Sequence, residues 1–393
     1  MKLFGGTGHN TRKRPAARGG EAKPPKSGKG KKTLLIILAV LVILVGGVFA
    51  YWKLTTRPPD VVSPTPDSEQ TGQNGDNIEI IDTETREIGH YYTVLVVGED
   101  QLRMNTDTIM VARFDAVEKK VDVVSIPRDT VVYYDGGYRR INSVYYRAEN
   151  GGIEGLMDAV EDVTGFRPDN YVVVQTDVFV KAIDALGGVW FDVPVDMNYD
   201  DYSDNDNDGV VDYLFQIHID KGYQWLSGEN AMKVFRFRQN NDGTGYPGGD
   251  WDRLEVQHNL IKALADEALK LNNLNKLYEI ARIVSDSSET DLLYSNIQWY
   301  AQQFLMMDTS NINVSTMPTT GLWVRTNSSA NEMALVTINI DEWLTIVNNQ
   351  LNPYKNEITR DDCSIVYLNA PKQLINGQLH ATTSELAVTG GGQ

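Results

Sequence analysis

The residues best suited to chemistry in this chain are arginines and aspartates. The stretch VFRFRQNNDGTGYPGGDWDR, residues 234–253, sets Arg236 and Arg238 two apart between phenylalanines. It then runs through a glycine-rich loop and closes on Asp250, Asp252 and Arg253. Paired guanidiniums offer planar forks that grip phosphate oxygens bidentately. If the segment is extended, alternation sends both phenylalanines to the core and both arginines to one surface. In a helix, residues two apart diverge by about 200°. A surface salt-bridge network is the plainer alternative, and spacing alone does not separate the two. Arginines gathered on a chain of net charge −17 favour a local polyanion site over a general surface property.

Three further segments carry candidate ligands. VVSIPRD (123–129) reads as a strand stopped by Pro127, with Arg128 and Asp129 just past its end. Ligands of open α/β sheets bind there, although an arginine capping a turn fits equally. GEDQLRMNTDT (98–108) places Asp100 and Asp107 at facing strand ends, where two carboxylates can share a hard cation such as Mg2+; ordinary turn chemistry is the alternative. In YDDYSDNDNDGVVDY (199–213), Asp204, Asp206, Asp208, Gly209 and Asp212 follow the ligand spacing of an EF-hand-type calcium loop. Phe215 takes the place of its closing glutamate, so a solvated acidic turn is favoured over Ca2+. None of the five histidines lies in an H-E-x-x-H motif, and no G-x-S-x-G occurs.

The elements that must position these residues alternate between strand and helix. YTVLVVG (92–98), DTIMVARF (107–114), KVDVVSIP (120–127), NYVVVQ (170–175), VWFDVPVDM (189–197) and LFQIHI (214–219) are strand-like. Helical spacing marks 153–165 and 177–188, the latter ended by glycines. Residues 253–271 set Leu254, Leu260, Ile261, Leu264, Ala265 and Leu269 on one helical face. Residues 276–350 add helix, a strand at 312–318 and further helix in IDEWLTIVNNQL. This alternation predicts a layered α/β domain over 90–358, followed by a C-terminal tail, 359–393, expected to fray.

Charge places that domain relative to a membrane. Residues 1–32 carry ten Lys/Arg against Glu21, so the remaining chain carries −26. Residues 33–52 follow with no charged side chain. Twenty such residues in a helix span ~30 Å, the thickness of a bilayer's hydrocarbon core. The expectation is a basic cytoplasmic tail (1–32), a single signal-anchor span (33–53), a Pro/Ser/Thr-rich spacer (54–89) and a domain outside the cell. A cleaved signal peptide is the competing reading, disfavoured by the length of the apolar run. Cys363 is the only cysteine, so no intrachain disulfide supports the domain. DNA binding would need a basic folded reader in the cytoplasm, and only the short tail lies there, so no nucleic-acid partner is expected.

Read in order, the pieces resemble the LytR-CpsA-Psr family of membrane-anchored envelope proteins. VLVVGED with TDT, VVSIPRDT, RINSVYY, AIDALGGV, GYQWLSGENAMKVFRFR and GGDWDR follow the anchor in the family's order over about residues 92–270. The resemblance implies an α/β/α sandwich around a mixed sheet, with an apolar tunnel for lipid. It implies a phosphotransferase that moves a teichoic-acid or capsule-type glycopolymer from an undecaprenyl-pyrophosphate carrier to peptidoglycan. A lipid-pyrophosphate hydrolase and a non-catalytic glycan-binding scaffold are the alternatives. The family's clamping arginines fall on Arg128, Arg236, Arg238 and Arg253, and its magnesium carboxylates on Asp100 and Asp107. Asp250 matches an acidic position that orients arginine or assists proton transfer. Arg140, Asn142 and Gln257 match positions that contact substrate. Two departures stand out: Gln101 replaces an arginine usual after the first aspartate, with Arg103 the nearest substitute, and Val256 replaces a second helix arginine.

Overall fold

The computed structural model describes residues 56–61, 91–99, 106–147, 149–201, 215–270, 273–325, 332–370 and 373–390. Two compact units divide the chain at Thr55/Thr56, and the first lies outside the described residues. The expected span at 33–53 therefore lies outside them too. Among the described residues no helix is long and apolar enough to cross a membrane.

The second unit is built on a six-stranded mixed sheet. Its strands are β1 (Tyr91–Glu99), β2 (Thr106–Asp115), β3 (Lys120–Ser125), β6 (Asn170–Gln175), β11 (Glu289–Thr290) and β12 (Ile312–Thr316), in the order β11-β6-β1-β2-β3-β12. β1–β2–β3 form an antiparallel meander, and β6 and β12 add in parallel to β1 and β3. Between β3 and β6 lies a hairpin of β4 (Val131–Tyr134) and β5 (Gly137–Arg140).

Strand alternation gives this sheet two apolar faces, each needing a cover. Leu95, Val97, Ile109, Val111 and Val124 pack on helix α1 (Gly152–Thr164) and on Trp343 of α7 (Ile340–Ile346). Tyr92, Val94, Phe114 and Val172 point the other way. They meet α4 (Asp250–Ala268), α5 (Leu274–Ser287) and α6 (Tyr294–Leu305) through Ala265, Ala281, Trp299 and Tyr300. Helices thus cover both faces of the mixed sheet.

A second apolar cluster sits beside the sheet. It joins α2 (Thr176–Leu186) and α3 (Gly228–Arg236) to two ribbons. One ribbon pairs β7 (Val189–Val193) with β10 (Gly222–Leu226), the other β8 (Met197–Asp200) with β9 (Gln216–Ile219). The run expected as one strand at 189–197 is therefore two, because Pro194 lacks the N–H that would continue the ladder. Gly187 ends α2 in the left-handed conformation (φ 93°), the role its position suggested.

The expectation of a frayed C-terminus is overturned. β17 (Gln378–Thr382) adds in parallel to β13 (Thr319–Arg325), which pairs with β14 (Glu332–Ile338), while β16 (Gln373–Ile375) closes the edge. β15 (Val366–Leu368) pairs with β18 (Leu386–Val388). Ile365, Val366 and Leu386 are buried, and the Thr389 hydroxyl donates to the Cys363 carbonyl. Short, interrupted strands hid this in the sequence. Their apolar side chains are too few to show a period, and each strand gains its partner only through tertiary pairing.

Candidate functional site

The FRFR segment is not extended throughout. Ser227 caps α3 by accepting the Asn230 N–H, and the helix runs to Arg236. Phe237 leaves it in an extended conformation (φ −59°, ψ 136°). That change of direction at Phe237 lets Arg236 and Arg238 line one cleft although a helix would have splayed them. Phe237 is buried in the second apolar cluster, and the half-buried Phe235 packs against that cluster; both line the cleft. The Arg236 guanidinium lies over the Phe215 ring, 4.6 Å from its centre.

The cleft has a volume of about 630 Å³. Arg128, Arg236, Arg238 and Arg253 all line it, with Gln257 and Glu99. Much of the remaining wall is apolar: Val96, Met110, Phe179, Ile217, Met232 and Ile261. Arg253 is only 7% exposed and Arg238 is exposed, so the guanidinium row runs from interior to surface.

Local bonding explains how each arginine is held. Arg128 follows β3, and its carbonyl accepts the Asn142 N–H at 3.3 Å while Ile141 N–H donates to Thr130 at 2.8 Å. The Thr106 hydroxyl donates to the Asn142 carbonyl, tying the start of β2 to the same turn. Asn142 is buried and acts here through its backbone, as a brace for the Arg128 loop. Arg140 also stands outside the cleft. It pairs with Asp129 at 3.2 Å and donates to the Ala334 carbonyl. Arg253 begins the second turn's worth of contacts on α4, where the positions facing inward are Arg253, Val256, Gln257 and Leu260. Of the apolar face expected at Leu254, Leu260, Ile261, Leu264, Ala265 and Leu269, Leu260 and Ala265 are buried and the other four half-buried. Val256 belongs to the second apolar cluster, which leaves no room for a charged group there.

The glycine-rich loop is bonded to itself. Asn240 N–H donates to Thr244, Gly248 N–H to the Asp252 carboxylate at 2.7 Å, and Gly249 takes φ 65° before α4. The Tyr246 phenol from this loop is pushed up by burial, with the nearby Arg253 charge opposing. His258 is half-buried on α4, its Nε2 lying 3.2 Å from the Ser125 hydroxyl. Burial, then the Lys262 charge, holds its imidazole below the ordinary histidine range.

Glu99 is a site residue that sequence reasoning missed. It ends β1, is 9% exposed, and accepts from the Tyr146 hydroxyl at 3.2 Å and from Gln175 Nε2 at 3.3 Å. A buried carboxylate at the carboxyl end of a central strand was the available signal. Asp107 is the second residue of β2 and Asp250 the first of α4, but their side chains lie outside the described residues, as do Asp100, Arg103, Asp204, Asp206, Asp208 and Asp212. β1 and β2 pair Glu99 with Thr106, the sequence neighbours of Asp100 and Asp107. Among the described residues no cluster of three metal-binding side chains occurs.

A mixed sheet covered on both faces, with an arginine-lined cleft at its strand ends, defines a class, and comparison agrees. The LytR_cpsA_psr family model matches residues 63–343, and the chain belongs to that family. It is 28% identical over 269 residues to the polyisoprenyl-teichoic acid–peptidoglycan teichoic acid transferase TagV of Bacillus subtilis, covering 66% of this chain and 63% of TagV. It is 31% identical over 250 residues to the cell wall biosynthesis protein LcpA of Corynebacterium glutamicum, covering 57% of this chain and 45% of LcpA. The chain thus spans less than two-thirds of either relative. The crystal structure of B. subtilis TagV shares the fold, with a TM-score of 0.51 at 24% identity, covering 67% of this chain and 97% of that one.

Proposed function

We propose that this protein is a phosphotransferase. It takes an anionic glycopolymer from an undecaprenyl-pyrophosphate carrier and joins it to a peptidoglycan sugar hydroxyl through a phosphodiester. The observation that carries this reading is the convergence of Arg128, Arg236, Arg238 and Arg253 on one cleft with largely apolar walls. Such a cleft suits a ligand with a pyrophosphate head and a hydrocarbon tail. TagV, whose name states polyisoprenyl-teichoic acid and peptidoglycan as its substrates, supports the same assignment.

In this reaction the acceptor hydroxyl oxygen attacks the phosphorus that bears the polymer, and undecaprenyl phosphate leaves. Charge builds on the non-bridging oxygens, where fixed guanidiniums stabilise it without a nucleophilic side chain. The acceptor's proton passes to a carboxylate, either Glu99 of the cleft or one of Asp100 and Asp250. Asp100 and Asp107 would hold Mg2+, which supplies further neutralisation of phosphate charge. The basic tail and apolar run at 1–53 would anchor the enzyme with its domain outside the cell membrane. Calcium at Asp204–Asp212 would be structural.

The test is release of undecaprenyl phosphate from a synthetic lipid-pyrophosphate donor, with and without peptidoglycan. Transfer predicts release that depends on peptidoglycan and a new phosphodiester. Release that is independent of peptidoglycan would make the protein a pyrophosphatase, and binding without release a scaffold.

A further inference from the structure

Residues 56–61 are bound to one end of the domain. The Asn296 side-chain amide on α6 donates to the Arg57 and Pro58 carbonyls at 3.2 and 3.1 Å. The Thr56 hydroxyl donates to Gln302 Oε1 at 3.2 Å, and Val61 packs in the cluster of Tyr92, Phe114 and Ile312. The uncharged run of the sequence ends at Trp52, four residues before Thr56, a reach of at most ~14 Å.

A patch of exposed aromatic rings lies at the same end. Thr176 opens α2 in the cleft wall, and this 11-residue helix ends roughly 16 Å away at Leu186. Leu186 packs with Ala268, Leu277 and, on α6, Phe304 and Leu305. Just past it, the Trp225 N–H donates to the Gly187 carbonyl at 3.1 Å. The Trp225 indole lies against Gly188, where a Cβ would stand 2.4 Å from the ring. Trp190 faces Trp225 across the β7–β10 ribbon and stacks on Tyr223, with ring centres 5.4 Å apart. Trp190 and Trp225 are each 49% exposed, Tyr223 is 71% exposed, and Met306, which follows Leu305, 54%. The opposite face of the ribbon, with Val189, Phe191, Val193 and Leu226, already supplies its buried contacts.

We propose that Trp190, Tyr223, Trp225 and Met306 rest in the headgroup layer of the bilayer's outer surface and hold the arginine-lined cleft away from it. The inference rests on the anchoring reading above: so short a connection keeps the end of the domain that binds Thr56 near the membrane. Tryptophan and tyrosine favour that layer, where a large ring meets apolar carbons while its polar edge stays wet. A sugar platform would need free ring faces with hydrogen-bonding groups around them. Here Trp190 gives one face to Tyr223, Trp225 gives one to the Gly188 backbone, and the Trp225 N–H is already bonded. Asp192 pairs with Tyr223, farther along the ribbon from Gly187 than the tryptophan pair, so its carboxylate stays in water while the indoles go deeper.

The experiment places the full chain in nanodiscs of phosphatidylglycerol and dibrominated phosphatidylcholine, whose bromines quench nearby tryptophan. Trp52→Phe removes the tryptophan at the end of the uncharged run. In that background Trp190→Phe and Trp225→Phe should each remove part of the remaining quenching, and together most of it. Trp251→Phe, at the cleft end, should remove none. Melting curves verify that each variant folds. Undiminished quenching in the double variant, or a loss confined to Trp251→Phe, would overturn the proposal. So would protection of Trp225 from acrylamide that appears only with peptidoglycan fragments, or only at high protein density, which would assign the patch to a glycan or to a second copy. Quenching of Trp52 separates the two readings. If Trp52 is quenched and Trp190 and Trp225 are not, the anchor stands and the patch fails. If Trp190 and Trp225 alone are quenched, the patch stands and the anchor fails.

Discussion

The side-chain amide of Gln257 on α4 donates to the backbone carbonyl of Phe235 at 2.9 Å, one residue before Arg236 ends α3. This bond fastens the helix that carries Arg253 to the terminus that carries Arg236. Gln257 is 6% exposed, so little water is at hand to replace it. Gln257→Leu should cost about 1 kcal/mol of stability, the net worth of one such bond, and lower transfer by roughly tenfold as Arg236 loosens. Gln257→Glu should be worse, since two acceptors then face each other. Thermal melts and transfer rates on both variants check this. Full activity in folded Gln257→Leu would mean that α3 sets Arg236 unaided.

Removing Arg236 or Arg238 tests the clamp itself. Arg236→Ala should lower turnover ~100- to 1,000-fold, by analogy with loss of one oxyanion-hole donor. Arg238→Lys should recover little, because an ammonium keeps the charge and loses the planar fork. A surface ion-pair network predicts at most ~1 kcal/mol of stability lost and transfer intact. Turnover of lipid-pyrophosphate donor, with circular dichroism to verify folding, decides between them.

Asp107→Asn should weaken activity and be partly rescued by more magnesium, because the neutral amide is a poorer ligand for a hard cation. The readout is a magnesium titration of transfer rate. An unchanged half-saturating concentration would remove Asp107 from the metal site.

Asp162 offers a test that does not depend on substrate. Burial on α1 pushes its carboxyl up to about 6, with the Ser364 hydrogen bond opposing. The folded protein therefore holds this proton more tightly than the unfolded chain does. Stability falls as pH rises from about 4, the ordinary carboxylate value, through about 6. Partial exposure limits the effect to about 1 kcal/mol. Asp162→Asn should flatten that slope and raise the melting temperature at pH 7 by a few degrees. Equal slopes for both proteins would show that Asp162 does not contribute.

Much of the sheet was legible because β1, β2, β3 and β6 are long, β-branched runs buried on both faces. The arginines were legible as a group because they cluster on a chain whose acidic residues, 53, outnumber its 36 Lys and Arg. Their convergence was not. Phe237 turns from helix to extended backbone under tertiary control, and no local periodicity announces a change at a helix's last residue. Arg253 and Gln257 also broke the pattern, since a helix reading by hydropathy assigns buried polar groups to the solvent side. The small strands of residues 366–388 carried too few residues to register.

Those last strands bear on how the molecule comes into being. β13 carries Thr319 and Gly321 to a small recess, about 160 Å³ in volume, beside Arg128, yet one of its two neighbours, β17, is made some fifty residues later. A chain emerging from its N-terminus can assemble the central sheet early, while β13 waits with an open edge. Such an edge invites pairing with other chains until it is covered. Synthesis arrested after β14 would therefore yield a molecule with its arginines in the chain but the β13 wall beside them unsupported. Completion of the site is coupled to completion of the polypeptide.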